Sequence, residues 1–176
     1  IVNSAPGREA EVTKERETIT ADDYDRIIAL GWNGFCREFY TRETGLSLEQ
    51  IQAIQEQNWA AMLEDLTWWQ AKGVPVTMGG MTMFPEMILS LGRTLTKLSL
   101  DVFRDVSRIA AVIEAMVDDC TENVLRNVRA SGIPWANILL ARGSTSLYNL
   151  PTWEKLVFPS LKKMVDTLVE AGYYVN

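Results

Sequence analysis

The 176-residue chain is 47% apolar and 23% charged, which is enough for one domain with a real core, and no apolar stretch approaches the roughly 20 residues of a membrane span. A net charge of −6 argues against a nucleic-acid surface, which needs Lys and Arg to neutralise phosphates. Histidine is absent, so no Ser-His-Asp or Cys-His pair and no histidine metal ligand can form within the chain.

Cys36 and Cys120 belong to no CxxC or CxH pair and are expected as buried thiols rather than as a disulfide or zinc knuckle. With no signal-like segment, the default expectation is a cytoplasmic protein. The opening Ile1 and the closing YYVN, which reads like the middle of a strand, suggest a piece of a longer protein that is open to self-association.

The first twenty residues read as an extended lead-in or strand. Thr20 then starts a short helix, with Asp22 and Asp23 at the positive end of its dipole and Ile27, Ile28 and Leu30 on its apolar side, ending at Gly31. The carboxylates Asp22, Asp23 and Asp25 read better as a helix start than as a metal cluster. Ser47 and Gln50 form a capping-box signature for a second helix that runs to Gly73, with Leu48, Ile51, Ile54, Trp59, Met62, Leu66 and Trp69 at helical spacing. Trp68 and Trp69 point in two directions around it, so one ring is either exposed or set against a missing partner segment, with packing the favoured role for the pair.

Residues 74–78 (VPVTM) are predicted as a buried strand ending in Gly79-Gly80, where the backbone can turn or approach a ligand closely. A short helix follows around Phe84 to Leu91. The strongest helical pattern spans Asp105 to Arg129, with Val106, Ile109, Ile113, Met116, Val117, Cys120, Val124 and Val128 on one side and Gly132 ending it. Residues 137–141 (NILLA) are predicted as a second strand and 142–149 as a loop. Helix then runs from Pro151 to Ala171, interrupted at Pro159, and a third strand begins at 173–175.

Strands alternating with helices imply a parallel sheet, as a doubly wound α/β fold or part of a (β/α)8 TIM-type barrel. Ligands in either sit at the carboxyl ends of the strands, so the Gly79-Gly80-Met81 segment and the Arg142 to Tyr148 loop are expected on one face. Gly143-Ser144-Thr145-Ser146 is neither a nucleophile elbow nor a phosphate-binding Walker loop. It reads equally as a ligand-binding loop or a self-satisfied turn. Arg142 would offer its planar fork to a carboxylate or phosphate, or pair with a helix carboxylate. Met78, Met81, Met83 and Met87 are either core or a soft lining for a large flat ligand.

Three stretches carry a family resemblance: Phe158-Pro159 followed by Lys162-Lys163-Met164-Val165 and a helix closing on Ala171-Gly172; GGMTMFPEMILSLG at 79–92; and ITADDYDRIIALGW at 19–32. Their order resembles the uroporphyrinogen decarboxylase superfamily, which includes corrinoid-dependent methyltransferases. The resemblance implies that residues 1–176 form a single, partial barrel domain of that fold. It places a substrate-contacting serine at Ser144 or Ser146, while the family's substrate-contacting tyrosine falls near Ile88 or Leu89, where no hydroxyl exists. The decarboxylase's arginine-rich amino-terminal loop has no counterpart and its late histidine is missing.

These departures favour the methyltransferase-like branch. It implies a small-molecule methyl donor or tetrapyrrole as ligand, a corrinoid protein as partner, and zinc and a corrinoid as cofactors of the complete protein rather than of this chain. That branch places its metal ligands just after the strand that Tyr173 begins, so the chain alone is expected to be inactive. The expected substrate-binding residues are Gly79, Gly80, Met81, Arg142, Ser144 and Ser146. The alternatives are a porphyrinogen decarboxylase and a catalytically inactive binding module.

Overall fold

The computed structural model describes residues 16–140 and 147–176. In chain order they form α1 (Asp23–Thr44), α2 (Leu48–Ala71), β1 (Gly80–Met83), α3 (Pro85–Arg93), α4 (Leu95–Arg104), α5 (Val106–Ser131), β2 (Trp135–Leu139), α6 (Leu150–Leu156), α7 (Phe158–Glu170) and β3 (Tyr174–Val175). The expected barrel portion does not form. Helices take up 72% of the described residues, beside one open sheet of three parallel strands in the order β1-β2-β3. The strands are four, five and two residues long, and most of the core lies between helices.

That core is organised by α5. Val106 to Ser131 is uninterrupted by Gly or Pro, and Ile109, Val112, Ile113, Met116, Val117, Cys120, Val124, Leu125 and Val128 are all buried. So wide an apolar stripe suits a helix enclosed on several sides. It packs most extensively on α1, and α6, α7 and β1 also pack against it. Gly132, at φ 67, ends the helix in a left-handed conformation with its N–H on the Val128 carbonyl, as the sequence predicts.

The first helix departs from expectation. Gly31 does not end it; at φ 69 and ψ 176 it kinks the chain, and helix resumes to Thr44. The restart is capped from outside, because Asp119 of α5 accepts the Asn33 backbone N–H at 2.8 Å through Oδ2. A carboxylate there satisfies an amide that has no partner within the helix. The Ser47 and Gln50 capping box of α2 forms as predicted. Helix α4 was not foreseen, and neither was Thr94, which joins it to α3 at φ 72 and ψ 146.

Residues 74–78 are not a strand. Gly80 begins β1, with Gly79 immediately before it, instead of the pair ending a strand. Close packing puts them there: a Cβ on Gly79 would lie 2.0 Å from the Ile133 carbonyl oxygen, and one on Gly80 would lie 2.8 Å from the Val124 oxygen. Only glycine brings the strand this near to α5 and to the entry of β2. The second strand likewise forms two residues earlier than expected, over Trp135–Leu139, in register Gly80 to Ala136 and Met83 to Leu139. Interruption of the last helix near Pro159 occurs as expected: α6 ends at Leu156 and α7 starts at Phe158, where Pro159 in the first turn has no helical acceptor to lose.

Candidate functional site: the uncovered sheet face and the strand ends

Alternation along the strands sorts their side chains. Gly80, Thr82, Ala136 and Ile138 turn towards the helices, where Ala136 and Ile138 join Val124, Val128 and Leu168 in a small core cluster. Met81, Met83, Asn137, Leu139 and Tyr174 take the other face. No described helix covers that face, and Met81, Met83, Leu139 and Tyr174 are 46%, 38%, 38% and 61% exposed.

Its chemistry is apolar with an amide centre. Asn176 Nδ2 donates to Asn137 Oδ1 at 3.1 Å, and Asn137 Nδ2 donates to the Thr77 carbonyl at 3.0 Å. The Asn176 backbone continues the ladder, donating to the Ala136 carbonyl and accepting from the Ile138 N–H, both at 2.9 Å. Trp135 stacks on Tyr174 with ring centroids 5.0 Å apart, closing one end. No charged side chain belongs to the three strands.

At the carboxyl end of β1 the chain enters α3 through Pro85 and Glu86. Glu86 is fully buried, and its Oε1 accepts the Tyr148 hydroxyl at 2.9 Å. A carboxylate in the first turn is favoured by the helix dipole, and burial makes its hydrogen-bond partners essential. The pair ties Tyr148, two residues past the 141–146 segment, to the start of α3, directly beyond the end of β1.

Of the expected site residues, Gly79, Gly80 and Met81 fall among the described ones. Met81 lies on the uncovered face. Gly79 and Gly80 lie at the amino end of β1, against α5 and Ile133, and not at its carboxyl end. Arg142, Ser144 and Ser146 lie outside the described residues. Met83 shares the open face with Met81, while Met87 is half-buried in α3. Sequence reasoning missed Glu86, Tyr148 and the Asn137–Asn176 pair. A glutamate after a helix-starting proline carries no local sign of burial, and the two asparagines are 39 residues apart, brought together only by parallel pairing.

Zinc does not fit this donor set. Among the described residues no group of three or more Cys, Asp or Glu side chains is placed to hold a metal. Cys36 is half-buried, not buried as expected, and Cys120 is buried. Burial pushes both thiols up to about 12, with Cys120 and Asp119 adding at Cys36; at Cys120 the Thr82 hydroxyl opposes the rise and Asp119 adds to it. Thiols that resist ionisation are poor metal ligands and poor nucleophiles. Asp22, Asp23 and Asp25 stand at the α1 start, where Asp23 accepts from the Thr20 N–H at 2.8 Å and from Arg42 at 3.0 Å.

No helix among the described residues is long and apolar enough to cross a membrane. Comparison with family models, with curated proteins and with solved structures finds no match for this chain.

Proposed function

We propose that this chain is the ligand-binding part of a uroporphyrinogen decarboxylase-like protein that takes part in corrinoid-dependent methyl transfer. The observation that carries the reading is the uncovered, uncharged sheet face: Met81, Met83 and Leu139 offer a soft apolar floor, and the Asn137–Asn176 amides offer fixed polar contacts. Such a surface suits one side of a large flat ligand better than a small anion. The sequence resemblance supplies the ligand class, a corrinoid or other tetrapyrrole.

What these residues do is bind, orient and exclude water. The chain's histidine-free composition and its two resistant thiols supply no strong base at neutral pH, so the methyl-transferring groups belong outside the described residues. Porphyrinogen decarboxylation is the weaker alternative, because a ligand with many carboxylates calls for cationic donors and the strands present none.

Titration of the protein with methylcobalamin, followed by corrinoid absorbance, tests the proposal, alongside an assay of porphyrinogen decarboxylation. Binding that falls about tenfold in Met81→Asp, as expected for a charge forced against an apolar ligand, supports it. Absence of corrinoid binding, or equal affinity in Met81→Asp, refutes the assignment. Product formation from the porphyrinogen would move the function to the decarboxylase reading.

A further inference from the structure

Helix α2 is built unlike the other long helices. None of its 24 residues is buried, and its main packing partner is α1. Ile54, Met62, Trp68 and Trp69 are 47%, 39%, 52% and 47% exposed. A capping box holds its amino end, so the helix is defined locally, while among the described residues its outer side is left exposed.

The outer side has a definite chemistry near its carboxyl end. Glu64, Asp65, Trp68 and Trp69 line one shallow recess. Spacings of four residues put Glu64 beside Trp68 and Asp65 beside Trp69. The indoles meet edge to face, with centroids 4.7 Å apart and planes at 87°, and form a two-walled aromatic corner. Every charged residue inside α2 is acidic: Glu49, Glu56, Glu64 and Asp65. Just past the helix end, the Lys72 ammonium sits 5.4 Å above the Trp68 ring, a cation–π contact made by the chain itself.

We propose that this face of α2 docks a basic, apolar-bearing segment of a partner protein, with an arginine or lysine entering the Trp68–Trp69 corner between Glu64 and Asp65. Charge complementarity selects the occupant. A second copy of α2 would bring carboxylates against carboxylates, whereas a cationic partner satisfies both the acids and the indole faces. Lys72 is the intramolecular stand-in for that cation. The proposal does not depend on methyl transfer, and it is tested without activity.

The probe is a labelled 18-residue helical peptide with arginines on one side and leucines on the other. Its binding to the full chain is read by fluorescence anisotropy at two salt concentrations. The expected result is salt-sensitive binding that weakens about tenfold or more in Trp68→Ala/Trp69→Ala and in Glu64→Gln/Asp65→Asn, with no binding of the glutamate-for-arginine peptide. Circular dichroism checks that both exposed double variants keep their helix content. Unchanged affinity in either variant, or equal binding of the acidic peptide, overturns the proposal. So does a wild-type dimer that Trp68→Ala/Trp69→Ala makes monomeric, since that assigns the face to a second copy.

Discussion

Replacing Thr94 by glycine is expected to stabilise the protein. Thr94 is the one described non-glycine residue with positive φ, and φ 72 with ψ 146 falls close to a region that only glycine enters freely. Its neighbours hold it there. Arg93 binds Asp101 at 2.8 Å and also pairs with Glu17, which in turn pairs with Lys97, while Thr18 and Ile19 donate to the Gly92 carbonyl. A β-branched residue in such a conformation costs on the order of 1–3 kcal/mol. Against its relief stand about 0.5–1 kcal/mol of extra glycine chain entropy and a few tenths for the cap, because Thr94 Oγ1 accepts the Lys97 N–H at a long 3.4 Å.

The net gain for Thr94→Gly is about 1 kcal/mol, or roughly 2–4 °C in Tm for a domain of this size. Thr94→Ala keeps the strained Cβ and loses the cap, so it should destabilise by about 0.5–1 kcal/mol. Urea unfolding followed by circular dichroism measures both, read as shifts in midpoint at constant slope. Opposite signs for glycine and alanine are the signature of backbone strain. If glycine proves neutral, or as harmful as alanine, Thr94 carries no backbone strain.

Gly79→Ala should cost about 3 kcal/mol, since the new Cβ would meet the Ile133 backbone at 2.0 Å; a full-stability variant in thermal melts would contradict the close packing of β1 on β2. Native Cys36 and Cys120 should resist a disulfide reagent at pH 8, where thiols pushed up to about 12 hold only about one thiolate in ten thousand, and react at once in denaturant. Because the unfolded thiols ionise near 9.0 and the folded ones later, their contribution is fully present below pH 9 and is lost as pH rises towards 12, which alkaline unfolding curves would record. Asp23 behaves oppositely: burial disfavours its charge, but hydrogen bonds from Arg42 and Thr20 prevail and hold its carboxyl below 3.8. Its contribution is therefore present above about pH 4 and lost as pH falls below that, and Arg42→Ala should flatten this acid limb of the stability profile.

Local signals were legible where the chain satisfies itself. The Ser47–Gln50 box, the Gly132 stop and the proline restart near residue 158 are written in adjacent residues, and each forms where the sequence places it. The apolar periodicity of α5 also determined its buried side, because a 3.6-residue repeat has only one face to hide. Parallel pairing of three strands separated by helices was equally readable, since such connections span the sheet and return in the same direction.

Tertiary packing decided the rest. Gly31 reads as a stop, and becomes a kink only because Asp119, 88 residues later, caps the resumed helix. Gly79-Gly80 reads as a strand end, yet distant backbone at Ile133 and Val124 makes it the strand's beginning. A barrel follows from alternating strands and helices only if the strands are numerous and long enough to close, whereas here the long helices pack chiefly on one another. Glu86 with Tyr148, and Asn137 with Asn176, join residues whose local surroundings carry no mark of the meeting. Composition and periodicity act within a few turns of chain, so they determine which elements form; which face of the sheet stays open, and what lines it, depends on contacts between residues far apart.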